Sequence, residues 1–426
     1  MKVWILQTGE PLHCDAGVPR PMRAMNLANA LLERGHEVVI WSSGFNHQNK
    51  AHRCTEFASV SPMSGLTINL IPSRGYEKHI GTDRLIDHAQ LAFALSKRLG
   101  SSLDVLPDVA FVGFPPIESA IVMIEWLRKN KIPVFLDVKD LWPGIFIEAL
   151  PTAFRPIAPL LLSPYFFMAK RAIRKATALS SISQPFLREV LKHAMRTTNS
   201  FDRVFPLVPG PKLTDAYDRV PVAEWWQERG VDLSHSRRLC FVGALSRAYD
   251  FWPVSDAVRT LLSNGVELEL VICGGGQELS IVKQQFQGLR NVKFPGWVDL
   301  PKIDLLMQAS VGTVAPYRST RDFKMSIPNK VIDSLSFGLP VITSLDGETR
   351  SVLERENVGI YCGTDTSAWQ KALMSVLRDQ QLQSVMSENC KRLFKENFSF
   401  EKVYGEFVNI LEQLALSKQP IPKEFT

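Results

Sequence analysis

Apolar residues fall along this chain in two rhythms. Short unbroken runs end in glycine- or proline-bearing loops, and longer stretches return at helical spacing. In the first half Val3 to Gln7 reads as a strand, and a loop with Gly9 and Gly17 leads to a helix whose Ala24, Leu27, Ala28 and Leu31 share one face. Gly35 ends that helix and His36 to Trp41 starts the next strand; Val109 to Val112 and Val134 to Val138 read as buried strands further on. The second half repeats the alternation. Leu239 to Val242 and Leu268 to Cys273 are apolar strands, each followed by a helical stretch, and Asp299 is placed to cap a helix over Pro301 to Ala309. Val311 to Ala315 and Val341 to Thr343 then enclose a helix expected to open near Ser326, with Pro328 in its first turn, and to stop at Gly338. Strand–helix–strand alternation predicts an α/β protein with parallel sheets, doubled in two halves.

The richest chemistry lies between the last two of these strands. The loop after Ala315 carries Arg318, Arg321 and Lys324 and runs into the helix bearing Lys330. A helix start leaves backbone N–H groups unpaired and presents the positive end of the helix dipole, so cations beside it make an anion site. Gly274, Gly275 and Gly276 follow the strand ending at Cys273 and let backbone approach a ligand, although a tight turn there asks for glycine as well. On the helix alone, Asp333 and Lys330 read equally as solvating charges.

The run PNKVIDSLSFGLPVITS, with GAL, CGGGQE and PGW in that order before it, resembles the donor domain of family 4 retaining glycosyltransferases. The run GVPRPMRAMNLANALLERGHEVVIW resembles the opening βαβ unit of the same family. The resemblance implies the GT-B fold, two Rossmann-like domains facing across a cleft. It places Asp333 on the ribose of a nucleotide-sugar. Gly17, Arg20, Gly243, Gly274, Gly275, Gly276, Trp297, Arg318, Arg321, Ser326, Ile327, Pro328 and Asn329 fall around the donor. Arg247, Arg318, Arg321 and Lys330 are the candidates for holding the leaving diphosphate, and Asp140, in DVKDLWP, falls on the acceptor side. For Asp140 a structural salt bridge or cap stays open as well, and His36 matches a helix-to-strand turn with a structural role. Three positions depart from the family pattern: Met325 stands where a second acid is usual, with Asp322 the nearest substitute, and Ala244 and Tyr249 stand where an arginine and a lysine are usual.

What the resemblance implies is a metal-independent hexosyltransferase without a cofactor, using a nucleoside-diphosphate-sugar, UDP rather than GDP, as donor. Its acceptor would be a polyprenyl-diphosphate-linked glycan, and the product a cell-surface polysaccharide such as lipopolysaccharide O-antigen or capsule. A non-catalytic nucleotide-sugar binding module and a sugar-nucleotide epimerase of the same fold are the alternatives. An NAD-dependent oxidoreductase is disfavoured because QTGEPLHCDAGVPR lacks the GxGxxG spacing.

Length and composition change this picture little. The 426 residues, 45% apolar and 22% charged, suit two globular domains. We expect an acceptor-side domain over 1–205, completed by a terminal helix over 398–416 with Val403, Phe407, Ile410 and Leu411 on one face. A proline-rich hinge over 206–222 and a donor domain over 223–397 complete the division. Six scattered cysteines without a CxxC pair read as reduced core thiols of a cytoplasmic protein, and no signal peptide is visible. The net charge of +6 suits an anionic partner; no nucleic-acid motif accompanies it. Residues 156–176 instead set a leucine- and aromatic-rich stretch against Lys170, Arg171, Arg174 and Lys175, which suits either peripheral contact with the cytoplasmic face of the inner membrane or a core helix with a basic end.

Overall fold

The computed structural model describes residues 1–17, 20–77, 81–101, 105–150, 154–211 and 217–417. The chain divides into two compact units: Met1–Pro206 together with the stretch from Val403 onward, and Leu207–Lys402.

The first unit is built on a sheet ordered Arg203–Val204, Ala178–Ser181, Val134–Val138, Val109–Phe114, Lys2–Leu6, Glu37–Ser43, Leu66–Ile71, Ala58–Met63. Only the last pair is antiparallel. Val109–Phe114 and Val134–Val138 are buried at every position, which is what parallel strands covered on both faces require. The helix Arg23–Glu33 buries the expected Ala24, Leu27, Ala28 and Leu31, and also Arg23. That guanidinium lies 3.3 Å from Asp137 with both side chains fully buried, and it donates to the Phe205 carbonyl at 2.6 Å. The helix Phe400–Leu416 supplies Val403, Phe407, Ile410 and Leu411 to this core; the Phe407 ring stacks on Phe205 at 3.9 Å. His36 meets Glu412 on that helix at 2.8 Å, a structural pairing.

The second unit carries a six-stranded parallel sheet ordered Val292–Gly296, Glu269–Cys273, Arg238–Val242, Gly312–Ala315, Val341–Thr343, Gly359–Tyr361. Numbered along this unit the strands run 3-2-1-4-5-6, the doubly wound Rossmann order, whose direction reverses between Arg238–Val242 and Gly312–Ala315. The parallel strands of the first unit reverse in the same way between Lys2–Leu6 and Val109–Phe114.

Two expectations are corrected here. The segment 206–222 is not all linker: residues 212–216 lie outside the described residues, but a helix over Arg219–Glu228 starts within it. Asp218 caps that helix, and its Trp226 is fully buried beside Val231, Cys240 and Leu306. Pro221 is tolerated because it falls in the first turn, where no intrahelical donor is needed. The helix expected near Ser326 begins instead at Asn329, and Pro328 is its extended N-cap. A residue preceding proline is pushed out of the helical region, so Ile327 cannot belong to the helix. The polar loop forms its own single turn, Arg321–Lys324, capped by Thr320 and ended at Met325.

Candidate functional site

At the carboxyl end of the second sheet, where its strand order reverses, three loops are bound edge to edge. Gly243 donates to the Cys273 carbonyl at 3.0 Å, Leu245 to Gly275 at 2.7 Å, and Gly274 to Gly296 at 2.7 Å. On the other side Arg318 donates to Ala248 and Asp250 to Pro316, both at 2.7 Å. This close lacing explains the glycines. A Cβ on Gly274 would meet the Gly243 carbonyl oxygen at 2.1 Å and one on Gly276 the Leu245 oxygen at 2.3 Å, whereas Gly275 faces open space.

Lys330 reaches into this corner from the second position of the helix Asn329–Ser336. Its Nζ donates to the Val242 carbonyl at 2.6 Å and lies 5.0 Å from the Phe241 ring centroid and 5.8 Å from that of Tyr249. A side chain on residue 243 would fill the same space: an ideal Cβ there stands 1.5 Å from the ammonium. The helix is fixed from below by the Thr313 and Ser334 hydroxyls, 2.8 Å apart. Asp333, half-buried on the same helix, is close enough to Tyr317 to help hold that phenol well above its ordinary pKa, after burial and the charge and hydrogen bond of Tyr249.

Tyr249 therefore takes a structural part where the family pattern has a cation. Its ring packs edge-on against Phe241 at 5.0 Å and meets Tyr317 at 4.8 Å, and burial pushes its hydroxyl up to about 12. The ring belongs to the floor beneath the Lys330 ammonium. Only the mutual packing of distant loops reveals this; in the sequence its one signal is the missing lysine.

The remaining expected residues divide by exposure. Arg247 stands in solvent, its side chain 90% exposed and its Nε 3.4 Å from Glu278. Arg318 pairs with Asp250 at 3.2 Å, and Arg321 is exposed on the single turn before Met325. Ser326 is buried and its hydroxyl donates to the Asp322 carbonyl at 3.1 Å, so it braces the loop; Ile327, Pro328 and Asn329 follow at the helix mouth. Trp297, beside the Gly296 carbonyl that receives Gly274, is 75% exposed.

In the first unit, Gly17 (φ +82°) and Arg20 are exposed on the loop after the first strand. The two acids of DVKD part company. Asp137 is a core residue, bonded by the Ser180 hydroxyl at 2.6 Å, while Asp140 lies on the exposed loop after the strand. Lys139 itself is held by Glu10 at 2.5 Å. Among the described residues no three His, Cys, Asp or Glu side chains form a metal-holding group.

Comparison with known proteins adds the following. Residues 236–379, which contain the whole of the laced corner, match the family described as "Glycosyl transferases group 1". The O-antigen chain mannosyltransferase C of Escherichia coli is 25% identical over 207 residues, 47% of this chain and 52% of that protein. The chain thus spans about half the length of the curated relatives it matches. Among solved structures, sucrose-phosphate synthase from Thermosynechococcus elongatus superposes with a TM-score of 0.70 at 15% identity, covering 97% of this chain and 98% of that one. HepE from Anabaena in complex with UDP and glucose gives 0.62 at 13% identity, covering 97% and 100%. The fold is GT-B, with a Rossmann-like sheet in each half.

Proposed function

We propose that the chain is a retaining glycosyltransferase that moves a hexose from a UDP-sugar to a lipid-linked glycan during cell-surface polysaccharide synthesis. The observation that carries this reading is the Lys330 ammonium, seated at the carboxyl edge of the second sheet where its order reverses. Open α/β sheets bind phosphates there. Charge accumulates on the diphosphate as the glycosidic bond breaks, and a preorganised cation at a helix start stabilises it without moving. Lys330, the Asn329 helix mouth and the exposed arginines take that duty in place of a divalent ion. Asp333 holds the ribose, and Trp297 offers an exposed ring beside the same loops. Retention follows if the acceptor hydroxyl attacks from the face the diphosphate leaves, with a diphosphate oxygen taking its proton. That route asks for no protein nucleophile. Support for the donor comes from the Anabaena neighbour's bound UDP, and for the pathway from the O-antigen mannosyltransferase relative.

The lipid side rests on the first unit. Leu160 and Leu161 are 77% and 72% exposed on a short helix, with Phe154, Ile157 and Phe167 also exposed in the same stretch, while the helix that follows buries Ala169, Ala172 and Ile173. Lys170, Arg171, Arg174 and Lys175 lie on the following helix, with Arg171 and Lys175 sharing Glu125 at 2.5 and 3.5 Å. No described helix is long and apolar enough to cross a membrane. An apolar face rimmed by cations suits a protein resting on anionic lipid.

The test is to bind UDP calorimetrically and then follow release of UDP from UDP-hexoses with and without a polyprenyl-diphosphate glycan, in EDTA. We expect UDP binding, acceptor-dependent release that survives EDTA, and product with the donor's anomeric configuration by NMR. An intact donor under all conditions leaves a binding module, and rescue of activity only by Mn²⁺ overturns the metal-independent mechanism. Replacing Leu160 and Leu161 by Ser should abolish sedimentation with anionic vesicles; unchanged sedimentation removes the membrane face.

A further inference from the structure

The carboxyl edge of the first sheet holds a cluster that the transfer chemistry above leaves unused. Four loops and helix starts converge: the turn after Glu37–Ser43 brings His47 and Lys50, and the loop after Leu66–Ile71 brings Tyr76. The first turns of Thr82–Gly100 bring Arg84 and His88, and the loop after Val134–Val138 brings Trp142. Tyr76 is the hub. Its hydroxyl is 2.5 Å from His47 Nδ1, the Lys50 ammonium lies 4.5 Å from its ring centroid and the Arg84 guanidinium 5.6 Å. Arg84 also lies 4.9 Å over Trp142 and donates through Nε to His88 Nε2 at 3.4 Å.

Two facts distinguish this cluster from an ordinary packed core. The Lys50 Nζ is buried and has no hydrogen-bond partner among the described residues, although an ammonium carries three donors. A second cation is held beside it, where like charges repel unless an anion comes between them. Next to them His88 Nδ1 is likewise buried without a hydrogen-bond partner, 3.8 Å from the Glu118 carboxyl, which Tyr165 hydrogen-bonds. Buried polar atoms in folded proteins find partners, so a buried ammonium left unpaired beside a second cation marks a place shaped for something anionic. The two aromatic rings are already occupied on one face by cations, which fixes the Lys50 and Arg84 heads in place before any ligand arrives.

We propose that Lys50 and Arg84 form an oxyanion subsite on the first unit, which binds a phosphate or carboxylate of the acceptor while Tyr76 and Trp142 hold the two cations in position. The assignment to the acceptor rests on the transferase reading; the oxyanion site does not. Lys50 supplies the unpaired donors, and Arg84 beside it supplies the second positive charge. The neutral His88, whose Nε2 accepts from Arg84, keeps that guanidinium turned towards the cluster without adding a charge.

The experiment uses the full chain saturated with UDP, so that the diphosphate position in the second unit is occupied, and titrates inorganic pyrophosphate and, separately, glucuronate by calorimetry. One further equivalent should bind. Lys50→Gln should weaken it at least about tenfold and Lys50→Arg should restore most of it, while UDP affinity and the circular dichroism spectrum stay as in the unmodified chain. Pyrophosphate favoured over glucuronate points to a diphosphate-bearing acceptor, and the reverse preference to an acidic sugar. No second equivalent, or one that Lys50→Gln leaves unchanged, overturns the subsite. Failure of UDP itself to bind strikes the donor reading instead, and pyrophosphate binding that still responds to Lys50→Gln would keep the subsite. Arg84→Gln should weaken the same equivalent at least about tenfold; should it unfold the chain, the Lys50 pair of variants alone decides.

Discussion

The two sheets of this protein reverse their strand order in the same way, yet the edges where they do so are made of different material. In the second unit the edge is backbone: glycine loops laced to one another, with one lysine laid across them. In the first it is side chain: a fully buried Arg23–Asp137 pair below, Lys139 on Glu10, and cations on aromatic rings above. A backbone edge presents fixed dipoles and suits a ligand part that never varies, such as a nucleoside diphosphate. A side-chain edge can be rewritten residue by residue without disturbing the sheet, and suits a ligand that differs between relatives. The fold supplies the place, and the loops supply the chemistry.

This contrast is tested first where the largest effect is expected. Asp137→Ala leaves the Arg23 guanidinium buried without its carboxylate and should cost about 3–5 kcal/mol of stability in urea unfolding. A loss below about 1 kcal/mol would mean that the first edge does not depend on its ion pair. Next comes acid. Burial, then Arg84 and His47, lowers His88 from 6.5 to about 3. Between those values the unfolded chain binds a proton that the folded chain refuses, so stability falls as pH drops from 6.5 towards 3. The slope contributed by this one residue approaches ~1.4 kcal/mol per pH unit. Stability measured from pH 7 to pH 4 should decline less steeply in His88→Gln, and equal slopes would place His88 outside the buried cluster.

A pair of substitutions then probes the backbone edge. Gly274→Ala forces a Cβ against the Gly243 carbonyl at a φ of +125° and should cost about 1–3 kcal/mol, while Gly275→Ala, facing open space, should stay within about 0.5 kcal/mol. Similar effects at both positions would show that the lacing is looser than drawn. A modest stability effect, with the largest functional one, belongs to Lys330→Ala. It removes a hydrogen bond to a neutral carbonyl, about 1 kcal/mol, but should lower turnover at least about tenfold if the ammonium meets the diphosphate, because a bond to a charged group is worth about 1.5–3 kcal/mol. Equal activity would sever Lys330 from the chemistry.

Much of the scaffold was legible in the sequence because parallel strands covered on both faces need unbroken apolar runs, and helices on a sheet need one apolar stripe. Val134–Val138 and the Ala24, Leu27, Ala28, Leu31 face stand where that logic puts them. Asp299 caps its helix by accepting from Lys302, as its position before a proline-led turn implied. The start of the Lys330 helix differs from the expectation because a proline in the first turn and a proline at the cap look alike until the restriction on the preceding residue is applied. Lys330 itself was picked out, but not its resting place over Gly243, which depends on a glycine 87 positions earlier in the chain. Lys50, Tyr76 and Arg84 carry no such signal. Each sits in a different loop with no motif of its own, and only the sheet brings them together.

The helix Phe400–Leu416 sets the order in which the molecule is able to finish itself. Phe407 packs on Phe205 and lies under Arg23, yet it follows every residue of the second unit in the chain. A ribosome adding about 5–20 residues per second therefore exposes the strands of the first unit for some tens of seconds before the helix that closes their core exists. Through that interval Phe205 and Arg23 lack the ring that packs against them, while the second unit, whose last residue is Lys402, is already made.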